Sequence, residues 1–403
     1  MNKDEMGDNK IRILFLLSRF LDGGIDMVLV DYLRHLIGNP AYQLTLAIGV
    51  SMNELEVFAK EIPPQVSVVH LVEADWLTKW RRQKIVNRHL PLVAKACDEV
   101  CLSPLRRMMI SRGLRRLSAE HDVVIDFDCC FYSYLKGIHI PKIAWFHFSF
   151  NQALRQNRSR TLRIGKCLEH YDRVVCISES MREEGDRLFP RLANKWCVIY
   201  NAKNREAIQV RASQPVDDDR IHQPYMLAVE RLEESQKDLS TLLQAWQLFK
   251  QQYHHTELLY LLGKGNSEAQ LRQLASDLGI ADSVVFLGFK ANPYPWMLNS
   301  RMLIHSAKFE GLPTVLTEGL MLDKLMVATD CPTGPREILD GGKAGLLVPV
   351  GDAQAMAEAM HRLMTDTALQ ESIRHGVAQQ QQTFTFETTE RQFQELVRQV
   401  RSR

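Results

Sequence analysis

Short apolar runs alternate with longer amphipathic stretches along most of the chain. The run at 11–18 predicts a strand that stops at Asp22-Gly23-Gly24, and beyond the glycines Ile25, Val28, Leu29, Tyr32, Leu33, Leu36 and Ile37 recur on one helical face. Further strands are expected at 43–49, 66–71, 122–126, 142–146, 173–177 and 196–199. Strands that alternate with helical segments build parallel sheets, because neighbouring parallel strands need a long crossover. Residues 1–203 therefore read as one doubly wound domain. A polar stretch at 204–223, containing Gln214-Pro215 and Asp217-Asp218-Asp219, lacks apolar periodicity and reads as a linker. The alternation then resumes, with strands at 225–229, 257–262, 283–287, 302–305, 325–329 and 345–348. Between the first two, Leu239, Leu242, Leu243, Trp246 and Phe249 share one face of a helix at 239–251. The expected fold class is α/β: two doubly wound Rossmann-like domains, 1–203 and 224–385, facing a central cleft, with a helical tail at 386–403.

The length of 403 residues suits two domains at roughly 100–200 residues each. With 45% apolar and 24% charged residues the composition is that of a globular protein, which excludes disorder, collagen and coiled coil as the main architecture. Asp4, Glu5 and Asp8 precede a short apolar run, unlike a signal peptide, so a cytoplasmic location is expected. No run reaches the ~18 to 20 apolar residues of a membrane span; the apolar region 123–150 is interrupted by Asp126, Asp128, Lys136 and Lys142. The cysteines at 97, 101, 129, 130, 167, 176, 197 and 331 form no metal-binding spacing and read as reduced core thiols. Net charge is +2, yet residues 1–202 hold 29 Lys/Arg and 23 Asp/Glu, net +6, leaving 21 and 25, net −4, for the remainder. The two halves are expected to face different partners.

Ligands of open α/β sheets bind beyond the carboxyl ends of the strands, so strand-to-helix loops are the first candidates. Gly23-Gly24 admits either a close backbone approach to a phosphate or sugar or simply a tight turn. Arg231 and Lys237 bracket the loop after the strand 225–229 and could grip a diphosphate, or could pair with Glu233 and Glu234 between them. Glu310 lies in the loop after 302–305, Gly311, Leu312 and Pro313 shape the turn, and a helix from Thr314 carries Glu318 in its second turn. Two carboxylates so placed suit vicinal hydroxyls of a sugar and a ribose; Glu318 could also be an ordinary acid near a helix start. Asp126 and Asp128 belong to a strand end and read as structural.

On these residues the chain resembles the GT-B glycosyltransferases of the glycosyltransferase 4 group, retaining enzymes that use nucleotide sugars. Glu310 and Glu318 match the E-x7-E signature, and Arg231-Leu232 with Lys237 looks like its R-L-x-x-x-K element. Leu262-Gly263-Lys264-Gly265, Val285-Phe286-Leu287-Gly288-Phe289, Thr333-Gly334-Pro335-Arg336-Glu337 and Gly345-Leu346-Leu347-Val348-Pro349 continue the likeness over 225–350. In the first half it thins to Gly23-Gly24, His147, Ser178 and Asn201. Glu230 departs from it, standing where relatives usually carry glycine before the arginine.

The resemblance implies that Arg231 and Lys237 stabilise the leaving diphosphate with no metal cofactor. It implies that Glu318 holds the ribose, that Glu310 with the Gly311–Thr314 turn holds the donor sugar, and that the loop of Gly288, Phe289 and Lys290 reads the base, most plausibly uracil. Gly23 and Gly24 would cover the diphosphate or border the acceptor, and His147 would lie near the reaction centre, although a lone histidine at a strand end is also often structural. Front-face attack, with a phosphate oxygen taking the acceptor proton, is the implied route. The tail 386–403 would pack back on the first domain, as in relatives.

Between 76 and 116 there are eleven Lys/Arg and two Asp/Glu, interleaved with Trp76, Leu77, Trp80, Ile85, Val86 and Leu90. This suits an anionic membrane surface or a phosphorylated glycolipid, or is a solvated helix face. A second cluster comprises Arg155, Arg158, Arg160, Arg163 and Lys166. No nucleic-acid module accompanies the charge. The expected activity is transfer of a hexose or N-acetylhexosamine from a UDP-sugar to a lipopolysaccharide core, capsule or lipid-linked glycan, at the cytoplasmic face of the inner membrane. The alternatives are a nucleotide-sugar 2-epimerase of similar fold and a catalytically silent membrane-associated binding protein.

Overall fold

The computed structural model describes residues 10–402 apart from 22 and 88. The first sheet comprises β1 (Ile11–Leu17), β2 (Tyr42–Ile48), β3 (Ser67–His70), β4 (Val123–Asp126), β5 (Lys142–Phe146), β6 (Arg173–Cys176) and β7 (Trp196–Val198). The second comprises β8 (Tyr225–Val229), β9 (Leu258–Leu262), β10 (Val284–Gly288), β11 (Leu303–His305), β12 (Met326–Thr329) and β13 (Leu346–Val348). Their orders are β3-β2-β1-β4-β5-β6-β7 and β10-β9-β8-β11-β12-β13. All pairings are parallel. Each sheet runs outward in both directions from its first strand, the doubly wound Rossmann-like topology that the alternation predicts.

The central strands are buried along nearly their whole length: Ile13 to Leu16 and Tyr225 to Ala228 have at most 1% exposure. Helices cover both faces of a parallel sheet, which is why these strands read as unbroken apolar runs. The helix Leu239–Tyr253 buries Leu242, Leu243, Trp246 and Phe249 completely.

The chain forms two compact units. One holds the described residues up to Ile177, Gly185–Ile199 and the chain from Glu390 onward; the other holds Ser178–Glu184 and Tyr200–Thr389. In the first unit Phe393 of the helix Phe386–Arg401 stacks on Phe15 at 6.3 Å and meets Tyr42 edge-on at 6.0 Å. Within 204–223 a helix, Arg205–Ala212, is capped by Asn204 Oδ1 accepting from the Ala207 amide, and it buries Ile208 and Ala212 in the second unit. Two buried residues in eight are too few to register as a period.

The basic stretch folds as helices Asp75–Asn87, Leu92–Cys97 and Ser103–Ala119, with a π-helical turn at Asp98–Leu102. Asp98 pairs with Arg106 at 2.7 Å and with Arg81 at 3.0 Å, and Arg82 pairs with Asp75. Three of the eleven cations of the stretch are thus internal ties. Trp76, Val86, Leu92, Val93 and Val100 are exposed. Among the described residues no helix is long and apolar enough to cross a membrane.

Candidate active site

The reversal of strand order in the second sheet falls between β8 and β11. The crevice beyond such adjacent carboxyl ends is the usual ligand site of an open α/β sheet. Glu230 and Arg231 leave the end of β8, and Ser306 to Glu310 leave the end of β11, so the candidate residues arrive there by topology. Backbone and side-chain bonds tie the two loops: the Lys308 amide donates to Gln236 O at 2.8 Å, and Ser306 Oγ donates to Lys237 O at 2.7 Å.

Lys237 ends the short helix Glu234–Lys237, and the left-handed Asp238 at φ 50° turns the chain into Leu239–Tyr253. Its ammonium is buried and reaches Glu310 Oε1 at 2.5 Å, with Glu230 Oε2 at 4.0 Å. The alternative pairing of Lys237 with Glu233 or Glu234 does not form. Glu230 Oε1 lies 2.7 Å from His305 Nδ1, and the His305 Nε2 lies 3.6 Å from Glu310 Oε1. Burial pushes the Glu230 carboxyl up, but the charges of His305 and Lys237 outweigh it and leave its pKa lowered. Burial likewise pulls Lys237 down, while Glu230 and Glu310 outweigh it and raise its pKa. The result is a cation held between two carboxylates. Arg231 stays exposed and donates to Gln236 Oε1 at 2.9 Å.

The turn after Glu310 is welded to the loop after β12. The Glu310 amide donates to Pro332 O at 2.7 Å, and Thr333 Oγ1 donates to the carbonyls of Glu310 and Gly311 at 3.0 and 2.8 Å. Leu312 and Pro313 are buried, and the helix Thr314–Met321 starts at Thr314 without a side-chain cap. Its first-turn amides are the kind of group that accepts an anion or a ligand oxygen. Glu318 lies on that helix with its carboxylate 3.0 Å from the buried ammonium of Lys203.

The loops after β9 and β10 complete the arrangement. Leu232 donates its amide to Lys264 O at 3.1 Å, and Gly263 donates to Gly288 O at 3.0 Å. Gly288 has φ +69°. Phe289 is half exposed beneath Lys264, whose ammonium lies 4.9 Å from the ring centroid, and Lys290 approaches Asp218 at 3.5 Å and the Trp296 ring at 5.5 Å. Lys203, His305 and the pairing of Glu230 escaped the sequence reading. No local pattern marks them, because each acts on a residue distant in the chain.

In the first unit the reversal falls between β1 and β4. Gly23 caps the helix Gly24–Leu36 and its amide donates to Asp26 Oδ2 at 2.8 Å; Asp22 of that turn lies outside the described residues. All four carboxylate oxygens of Asp126 and Asp128 accept bonds from the chain, from Cys130, Phe131, Tyr171 and Ser18. These acids tie the end of β4 to its own loop and to β1, and burial pushes both carboxyls up.

His147, just past β5, is buried against Phe127 with ring centroids 4.7 Å apart, and neither ring nitrogen finds a well-formed hydrogen bond. Burial lowers its pKa from 6.5 to about 3, with the Phe127 backbone opposing. The unfolded chain therefore takes up a proton in a range where the folded chain refuses it. Stability from this group is complete above pH 6.5 and is lost as pH falls from 6.5 to about 3, at about 1.4 kcal/mol per pH unit. His147→Gln should flatten the decline in thermal midpoint between about pH 7.5 and pH 5. An unchanged decline would show that the histidine is already charged or solvated in the folded chain.

Two family models match the chain: glycosyl transferases group 1 over 223–366 and glycosyltransferase family 4 over 69–206. The N-acetylgalactosamine-N,N'-diacetylbacillosaminyl-diphospho-undecaprenol 4-alpha-N-acetylgalactosaminyltransferase of Campylobacter jejuni is 29% identical over 51% of this chain and 54% of that protein. The lipopolysaccharide 1,6-galactosyltransferase of Salmonella typhimurium is 23% identical over 68% of this chain and 74% of that one. The chain spans about half the length, or less, of the first curated relatives it matches. Among solved structures, Anabaena Alr3699/HepE in complex with UDP and glucose has a TM-score of 0.74 at 18% identity, covering 96% of this chain and 99% of that one. The lipopolysaccharide outer core galactosyltransferase WaaB in its apo form has a TM-score of 0.68 at 18% identity, covering 95% and 98%.

Proposed function

The chain belongs to the glycosyltransferase 4 family of GT-B glycosyltransferases, and from that premise we propose that it moves a hexose or N-acetylhexosamine from a UDP-sugar, with retention, to a lipopolysaccharide core, capsule or lipid-linked glycan. The observation that carries the reading is the buried Lys237–Glu310 pair at the strand-order reversal of the second sheet. A phosphate-binding cation and a hydroxyl-binding carboxylate are there placed within one hydrogen bond of each other. Lys237 and Arg231 take the leaving diphosphate, supplying positive charge where negative charge develops without calling on a metal. Glu310, with the turn of Gly311, Leu312, Pro313 and Thr314, takes the sugar hydroxyls. Glu318 takes the ribose, and Gly288, Phe289 and Lys290 take the base. The acceptor hydroxyl enters on the face the diphosphate leaves, and a phosphate oxygen takes its proton. The UDP and glucose bound in the Anabaena structure, and the undecaprenol and lipopolysaccharide acceptors in the relatives' names, support this reading.

The test is thermal stability against UDP-, GDP- and ADP-sugars, since a ligand bound only by the native state raises the midpoint. A UDP-sugar should raise it, and Glu318→Ala should weaken that response about ten- to a hundredfold in ligand concentration, the worth of hydrogen bonds to a charged group. No response to any nucleotide would overturn the reading in favour of a silent binding protein. Conversion of UDP-GlcNAc to its 2-epimer without acceptor would point to the epimerase.

The same proposal places the protein on the cytoplasmic face of the inner membrane through 76–116. Wild-type protein should sediment with phosphatidylglycerol-rich vesicles and release in high salt. Leu92→Ser with Val93→Ser should weaken binding by more than about tenfold, because each exposed side chain loses its burial in lipid. Equal sedimentation of the variant would remove this face from the proposal.

A further inference from the structure

Glu230 is out of keeping with its surroundings. The side chain is 1% exposed, and a buried carboxylate is costly unless it is paired. One oxygen is held by His305 and the Ser306 amide, at 2.7 and 3.4 Å. The other, Oε2, is buried without a hydrogen bond and points towards Lys237 across 4.0 Å. Lys237 is at that moment bound to Glu310 at 2.5 Å. The ammonium thus has one carboxylate in contact and a second in reserve.

We propose that Glu230 is a positioning residue of the diphosphate site, a fixed counter-ion that holds Lys237 charged and in place when Glu310 leaves it for a ligand hydroxyl. This deepens the reading of the site as a sugar-nucleotide site and rests on it. A diphosphate competes with Glu310 for the Lys237 ammonium, and sugar hydroxyls compete with Lys237 for the Glu310 lone pairs, so ligand binding loosens the 2.5 Å contact. In a site this buried, an ammonium that loses its only counter-ion loses its proton or swings out. Glu230 prevents both, because His305 anchors its carboxylate from the far side and keeps it from following Lys237 outward. The remaining neighbours do not substitute for it. Arg231 is a like charge that works against the ammonium, and the Cys331 thiol, pushed up to about 12 by burial and the Glu310 charge, stays neutral in the working range.

The experiment measures UDP affinity at about pH 7 and about pH 8.5 for the wild type, Glu230→Gln, Glu230→Asp and the pair Glu230→Gln with Glu310→Gln, each alongside its thermal midpoint. Glu230→Gln should bind UDP more weakly than the wild type, and the deficit should widen from the lower pH to the higher as the lysine, short of one carboxylate, gives up its proton more readily. Glu230→Asp, which keeps the charge, should restore most of the affinity. In the Glu310→Gln background, where Glu230 is the last carboxylate beside Lys237, the loss should exceed the product of the two single effects. A merely structural role would lower the midpoint and leave the ratio of affinities at the two pH values as in the wild type. That result, in either background, overturns the inference. A wild type that does not bind UDP overturns the sugar-nucleotide reading itself and the inference with it.

Discussion

Glu310→Ala is expected to reduce sugar transfer, or donor hydrolysis measured without acceptor, by about a hundred- to a thousandfold, the scale of removing one well-placed transition-state contact. The same variant should keep the stabilising response to UDP and lose the additional response to the complete UDP-sugar, because the proposed site assigns Glu310 to the sugar and not to the diphosphate. Its fold should survive. Removing one partner of a buried ion pair usually costs about 3–5 kcal/mol through the charge left behind. Here the orphaned ammonium stands 4.0 Å from the Glu230 carboxylate and can close on it, so the loss should fall below that range. Normal turnover in Glu310→Ala would remove the assignment of the site, whereas loss of the UDP response together with the sugar response would move Glu310 from the sugar to the diphosphate.

The second large effect is structural in cause and functional in outcome. Gly263→Ala should destabilise the second unit by about 3 kcal/mol or more and abolish nucleotide binding. Gly263 has φ +151°, a conformation other residues rarely adopt, and a methyl group there would stand 1.8 Å from the carbonyl oxygen of Glu230. The obstacle is backbone, which cannot rotate away as a side chain can. It belongs to the loop that carries Glu230 and Arg231, so relief of the clash would drag these two residues from Lys237 and His305. The next glycine repeats the constraint: a Cβ at Gly265 would meet Leu232 O at 2.2 Å. Unfolding with and without UDP checks the prediction. A stable Gly263→Ala that still binds UDP would show that the loops after β8 and β9 are free to separate, and that the glycine turn does not set their spacing.

The strands were legible because parallel strands covered on both faces appear as apolar runs between polar turns. The expected ranges fall within about a residue or two of those observed across both sheets, down to the three-residue β11. The helix Arg205–Ala212 was not legible, since it hides two inward residues among polar ones. Charge pairing was the least legible feature. Glu233 and Glu234 are the carboxylates nearest Lys237 in the chain, yet its partner is Glu310, brought in from the end of a different strand. Asp98 takes Arg106 and Arg81 out of a stretch that reads as predominantly basic.

By itself the sequence determined two doubly wound sheets, their strand boundaries and the loops that carry chemistry, because burial pattern, turn residues and motif spacing are local properties of the chain. Tertiary structure alone decided that Glu310 meets Lys237, that Glu318 meets Lys203, and that Glu230 is shared between His305 and Lys237. The reason is that an ion pair is selected by distance in space and by the removal of competing water, and the fold sets both by bringing strand ends together irrespective of their separation along the chain.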